Sequence, residues 1–411
     1  MQGPRTSLLS AEPPVQTPHQ VTISRPSSSR MSAEEEGVVS NWGTRPAALN
    51  DHFLRSAFQS LLDESAKAPP EQRLIMYDAV DETEVRENVG IFRKRIDARR
   101  NTKPNKPNDQ RLVCTPFNPD GFNFGKIKND RERIVKLAFP ALGDQGRYDV
   151  LTNKFPLFPG HMLLVAKAQV AQQMTGTHLR AIVEMQQSSS FCAYFNSWCA
   201  SASVNHFHCH LIDEYPPVTA FPLVAGPLVM GVRCLQPQGF PGFCYVFPKS
   251  KTFPQVDAAV RAMQQDNQPH NMLFTPRFIY VFPKPIVRPE RTFDLYPETV
   301  GGPELIGSFT VYNREVYDGL APEHVDELCR INTAPLPSRL LQHAGSASGI
   351  DDMVVCESAT TDRALSLGRG SIAPSLTASA LPSFPSLHDE DWPQDRPIAR
   401  ALAYSARNSF V

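Results

Sequence analysis

Residues 204–212 read Val-Asn-His-Phe-His-Cys-His-Leu-Ile, so His206, His208 and His210 fall at every second position with Phe207, Cys209 and Leu211 between them. A period of two is that of a β-strand with one buried face. The three imidazoles then share a face. The apolar set points into a core and fixes the register, because a slip of one residue would exchange the two sets. A chain with this strand must build a sheet around it and keep one face for a ligand. An imidazole flanked by two others suits attack at phosphorus, with the middle ring as nucleophile and its neighbours setting its tautomer and offsetting phosphate charge. Two other readings of the same residues stand beside this one. Histidines two apart on a strand also bind zinc, although no nearby Cys or carboxylate pair completes a tetrahedral set and only Asp213 and Glu214 follow closely. A hydrogen-bonded cluster without chemistry is the third.

The rest of the sequence narrows the partners. With 411 residues and 41% apolar content the chain can enclose a substantial pocket. Lys and Arg number 41 against 42 Asp and Glu, so no global field favours a nucleic-acid backbone or an anionic membrane, and neither partner is expected. No apolar run reaches the roughly eighteen residues of a membrane span, and no secretory leader is evident, so the cytoplasm is the expected location. The eight cysteines contain no Cys-x-x-Cys pair and read as free thiols.

Residues 1–40, rich in Pro, Ser, Thr and Gln, and residues 338–411, rich in Ser, Ala, Pro and Gly, lack apolar periodicity and are expected to be disordered tails around a catalytic region over 41–337. Within that region Phe53, Ala57, Phe58, Leu61 and Leu62 predict an amphipathic helix that ends before Pro69-Pro70. Strands are predicted over 147–152, 161–166, 204–212, 243–247 and 278–282, and helices over 177–194 and 256–263. This is an α+β pattern, with antiparallel sheet and packed helices, and lacks the strict alternation of a doubly wound parallel sheet.

The run His-φ-His-φ-His-φ-φ, φ being apolar, is complete from His206 to Ile212 and resembles the signature of the histidine-triad superfamily. Residues 153–165, beginning Asn-Lys-Phe-Pro and ending His-Met-Leu-Leu-Val, are similar to the strand-turn-strand upstream of that signature. Residues 115–126 contain Phe122-Asn123-Phe124-Gly125-Lys126, which resembles a Phe-Asn-Phe-x-Lys segment of the GDP-hexose phosphorylase branch. The Ala/Ser-rich lead into Asn205-His206, the pair of segments 269–273 and 278–283, and Glu304-Leu305-Ile306-Gly307 are similar to the same branch. The resemblance implies two fused histidine-triad-like halves of which one carries the triad. It implies a nucleotidyltransferase that splits a GDP-hexose with inorganic phosphate and needs no cofactor and no metal. His208 would be the nucleophile, His206 and His210 would stabilise charge, and Asn153, Asn205, Lys126 and Phe155 would bind nucleotide, with Asn153 on the ribose. A second copy of the chain is a candidate partner. His210 stands where related uridylyltransferases carry Gln and histidine-triad hydrolases carry His. Diadenosine polyphosphate phosphorolysis and nucleotide hydrolysis are therefore alternatives, with a non-catalytic nucleotide-binding module as a third. Residue by residue, Asn205 reads either as a brace for the triad strand or as a cap on backbone, Lys126 either as a phosphate contact or as a solvated loop lysine, and His161 as a structural residue.

Overall fold

Two stretches of the chain follow one plan. The computed structural model describes residues 22–24, 49–79, 85–97, 112–249 and 252–342. A short strand β1 (Thr22–Ser24), helix α1 (Asp51–Lys67) and strands β2 (Val85–Val89) and β3 (Phe92–Ile96) come first. The first half is β4 (Arg133–Ala138), β5 (Arg147–Thr152), β6 (Met162–Ala166), helix α2 (Gly176–Met185), β7 (Cys192–Asn196) and β8 (His208–Ile212). The second repeats that order as β9 (Leu223–Val229), β10 (Val232–Pro237), β11 (Tyr245–Pro248), helix α3 (Phe253–Gln265), β12 (His270–Phe274) and β13 (Phe278–Pro283). Short helices α4 (Arg291–Leu295), α5 (Gly302–Leu305), α6 (Arg314–Gly319) and α7 (Pro322–Ile331), with strands β14 (Ser308–Val311) and β15 (Leu341–Gln342), complete the described chain.

The large sheet has twelve strands in the order β1-β4-β5-β6-β8-β7-β12-β13-β11-β10-β9-β15. Reading inward from each edge, both halves place their strands first, second, third, fifth, fourth, and they meet where β7 and β12 pair antiparallel with Tyr194 opposite Leu273. The chain is thus two fused halves of like topology. A smaller sheet, β14-β3-β2, lies apart from it.

One face of the large sheet is covered by helices. Asn50 accepts the Phe53 N–H at 2.8 Å and caps α1, which buries Leu54, Phe58 and Leu62, and Thr175 caps α2 in the same way. These helices and α3 share a core with Phe207, Cys209 and Leu211, the apolar set of the histidine run. Each such large side chain contributes about 1.5–3 kcal/mol of transfer free energy, which fixes the register of β8 strongly. The opposite face divides. Over the second half, Leu273, Tyr280 and Phe282 lie under a layer that includes Tyr296, Leu305, Phe309, Tyr317 and Leu328. Over the first half, that face carries His208 and His210.

Three expectations change. The helix expected over 177–194 ends at Met185, and residues 192–196 form the buried strand β7 instead. Gln186, at the helix end, donates to the carbonyls of Phe191 and Phe274 and turns the chain before Ser188-Ser189-Ser190. The triad strand begins at His208 rather than 204, because the Phe207 N–H is taken by the carbonyl of Val170 in the loop after β6. The folded region also runs past 337: Leu340 is buried in the helix-side core and β15 pairs with β9. Residues 22–24 pair with β4, and the remainder of the expected tails lies outside the described residues. No helix among the described residues is long and apolar enough to cross a membrane.

A chain ending at Pro337 should therefore melt about 5 °C below one ending at Gln342, from the loss of about 2 kcal/mol of Leu340 burial and of the β15 pairing. Scanning calorimetry of the two checks this, and equal melting temperatures contradict it.

Candidate active site

His208 opens β8, where its backbone N–H donates to Oε1 of Gln172 at 2.8 Å. Its ring Nδ1 lies 2.8 Å from the carbonyl oxygen of His206. A carbonyl only accepts, so Nδ1 holds the ring proton and Nε2 keeps its lone pair. The Phe124 ring stands 5.0 Å and the His210 ring 5.4 Å from that imidazole, centroid to centroid.

The flanking histidines are set by the same logic. His210 lies with Nδ1 2.9 Å from Nε2 of His161, whose own Nδ1 accepts the Leu157 N–H at 2.9 Å. His161 therefore carries its proton on Nε2 and gives it to His210, which leaves the His210 proton on Nε2. The His210 ring also stacks flat on Tyr194, with centroids 4.3 Å apart. Gly160, just before His161, lets the β5–β6 turn lie close against Asp213 at the end of the triad strand. Its φ is 58°, and a Cβ there would meet the Cβ of Asp213 at 2.9 Å. His206 differs. Nδ1 accepts the Phe124 N–H at 3.2 Å and Nε2 donates to the Ala168 carbonyl at 2.9 Å. Burial lowers its pKa against the opposing pull of the Ala168 carbonyl, Nδ1 must be unprotonated to accept from Phe124, and its one ring proton is spent on protein. It pins the 122–126 segment over the site.

The other residues singled out from the sequence are divided. Asn153 sits beside the His161–His210 pair, with Nδ2 3.1 Å from His161 Nε2 and Oδ1 accepting the Phe155 N–H. Phe155 packs against Tyr77, ring centroids 6.5 Å apart. Asn205 uses both ends of its amide as a brace: Oδ1 accepts the Gln172 N–H, and Nδ2 donates to the carbonyls of Thr115 and Pro116. Lys126 is exposed and donates to the Asp120 carbonyl, away from the triad rings. Asp213 and Glu214 are paired with Arg55 and Arg93, at 2.7 and 2.6 Å, which anchors the far end of the triad strand. Among the described residues no cluster of three or more His, Cys, Asp or Glu is arranged to hold a metal ion.

Sequence reasoning did not single out Gln172, Tyr194 or Phe124. Phe124 lay within a quoted motif, and Tyr194 could have been found from the run Cys192–Asn196, which reads as a strand once the preceding serines end the helix. Gln172 had no signal, since nothing in a loop sequence tells a buried amide from a solvated one.

Residues 57–212 match the family described as GDPGP1-like, N-terminal domain. The match ends at Ile212, the last residue of β8, so the matched region closes with that strand. Human GDP-D-glucose phosphorylase 1 is 29% identical over 223 residues, 51% of this chain and 57% of that one. The zebrafish (Danio rerio) protein of the same name is 31% identical over 146 residues, 30% of this chain and 41% of that one. The chain thus spans about half the length of the curated relatives it matches. Among solved structures, yeast Ap4A phosphorylase Apa2 superposes with a TM-score of 0.49 at 14% identity, covering 73% of this chain and 98% of that one.

Three buried histidines make the GDPGP1-like region and its neighbour acid-sensitive. Burial pushes His178, stacked behind the triad strand on Phe207, down to about 3 and His270 to about 4, and lowers His206. A lowered folded-state pKa means that the unfolded chain binds more protons, so stability is full above about pH 6.5 and is lost as pH falls from there toward 4. His178 and His270 each contribute about 1.4 kcal/mol per pH unit in that window. Urea unfolding at pH 7, 6 and 5 should show this loss, and a free energy flat over that range contradicts it.

Proposed function

We propose that the chain is a GDP-hexose phosphorylase, with GDP-glucose as its first substrate and GDP-galactose as the alternative. The observation that carries the reading is the tautomer of His208, whose Nδ1 proton is committed to the His206 carbonyl so that Nε2 is the nucleophilic nitrogen. The names of the matched relatives, GDP-D-glucose phosphorylase 1, supply the substrate class.

In the first step Nε2 attacks the α-phosphorus of GDP-glucose. The bond from that phosphorus to the bridging oxygen breaks, and glucose 1-phosphate leaves. An oxygen of inorganic phosphate then attacks the same phosphorus, the Nε2–P bond breaks, and GDP is released. One imidazole serves as nucleophile and as leaving group, which divides a difficult displacement into two easier ones. His210, held by His161 with its proton on Nε2, is the neighbour oriented to stabilise charge on the phosphoryl oxygens. His206 works through the fold, since its ring fastens Phe124 and the loop at Ala168. Asn153 is assigned to the ribose, and Phe155 to the edge of the nucleotide site. The cytoplasm suits the free buried thiols of Cys192, Cys209 and Cys244.

Incubation with GDP-glucose, GDP-galactose, GDP-mannose or diadenosine tetraphosphate, with and without inorganic phosphate, tests the proposal. GDP and glucose 1-phosphate should form from GDP-glucose only when phosphate is present. Equal turnover in water alone identifies a hydrolase, and preference for diadenosine tetraphosphate a different phosphorylase. Nucleotide binding without any product identifies a binding module. His208→Asn should lower kcat on the order of a thousandfold with little change in melting temperature. His210→Gln should cost about a hundredfold or less. An active His208→Asn enzyme contradicts the assignment.

A further inference from the structure

The ladder between β7 and β8 ends with Tyr194 opposite His210. One pleat further, between Asn196 and His208, the two backbones are joined by a side chain from a third segment. Gln172, fully buried in the loop between β6 and α2, donates through Nε2 to the carbonyls of both Asn196 and His208 at 2.9 Å, and accepts the His208 N–H at Oε1. Its own backbone N–H donates to Oδ1 of Asn205, the residue just before the triad. A planar carboxamide is the side-chain group that supplies two donors and an acceptor in the geometry of a peptide unit. It stands here as a substitute peptide between two strands, at the residue whose ring does the chemistry.

We propose that Gln172 is the positioning residue of the nucleophile: it fixes both backbone groups of His208, and so the direction of Nε2 toward phosphorus. The proposal rests on His208 being that nucleophile. The loop that carries Gln172 is tied to the site at three further points. Ala168 accepts from the His206 ring, Val170 accepts the Phe207 N–H, and Asn205 holds the Gln172 backbone. Residues 168–172 thus run along the histidine segment from His206 to His208 and end in the clamp. Because the amide has no freedom to rotate without losing three bonds at once, β8 is held at the nucleophile more firmly than a frayed strand end would be. A displacement of about 1 Å at a reacting group is enough to cost on the order of a hundredfold in rate.

The test uses the full chain labelled with 15N in the imidazoles, whose shifts report the tautomer and pKa of His208 without any substrate. In the wild type, Nε2 should be the unprotonated nitrogen of neutral His208. Gln172→Glu keeps the shape but replaces the two-proton donor by a carboxylate facing two carbonyl oxygens. It should raise the His208 pKa by about one unit, through the added negative charge, and lower kcat for GDP-glucose about tenfold to a hundredfold, with KM within about twofold. Gln172→Met keeps the length and removes all three bonds. It should lower kcat similarly, leave the pKa in place and mix the two His208 tautomers. A side chain that merely filled space would move neither the tautomer nor the pKa. Wild-type tautomer, titration and kcat in both folded variants overturn the proposal. Should neither variant fold, the wild type still decides: the His208 N–H and the Gln172 carboxamide protons should exchange with solvent as slowly as the core strands, and rapid exchange overturns the clamp. A wild type with these signatures and no phosphorolysis counts against the reading of function and in favour of the clamp.

Discussion

The hydrogen bond from the His208 imidazole to the His206 carbonyl is the interaction on which the site depends. It joins a ring to the backbone two residues earlier, so its geometry is set by the path of the chain into β8. That path is held by the neighbouring segments: Val170 and Ala166 take the backbone of Phe207, and the His206 ring spans from Phe124 to Ala168. Proton placement in the site is thus a consequence of backbone placement. With Nδ1 committed, the remaining nitrogen is the one we propose as the nucleophile. A second relay, from the Leu157 N–H through His161 to His210, fixes the other functional ring in the opposite tautomer.

The duplicated topology explains why one site suffices. Both halves offer the same face of the sheet, and in the second half the fifth strand places Tyr280 and Phe282 on it. Those rings are covered by the layer built from α4 to α7 and β14, in which Tyr296, Phe309 and Tyr317 are buried. The second half thereby exchanges a potential pocket for a core, and that core supports β12, which lies against β7 and the site. On the helix face α2 and α3 occupy corresponding places in the chain order of the two halves, and α1 is added over β4.

The alternation at 206–211 was enough to read a strand and its two faces, because burial of Phe207, Cys209 and Leu211 is a local demand with a period of its own. The α+β class and most strand positions followed from the same kind of pattern. His206 departs from it: periodicity alone places it on the strand face, whereas its ring is held by Phe124 and Ala168, contacts that cross 82 and 38 residues of sequence. Tyr194 fits helical spacing as well as a strand, and only the turn made by Gln186 separates the two. Gln172 and Asn205 show a further limit. Their importance lies in which backbone groups they satisfy, and an amide's partners are set by tertiary packing that no local pattern encodes.

In the reaction we propose, the Nε2 atom of His208 forms a covalent bond to the α-phosphorus. Incubation of the full chain with GDP-glucose labelled in the α-phosphate, in the absence of inorganic phosphate, followed by an alkaline quench and peptide mapping, tests it directly. A phosphoramidate is stable to alkali, so label should remain on the one peptide that contains His208, and later addition of phosphate to the unquenched complex should release it as GDP. Label on a peptide lacking His208, or an enzyme that turns over without ever retaining label, would contradict the account.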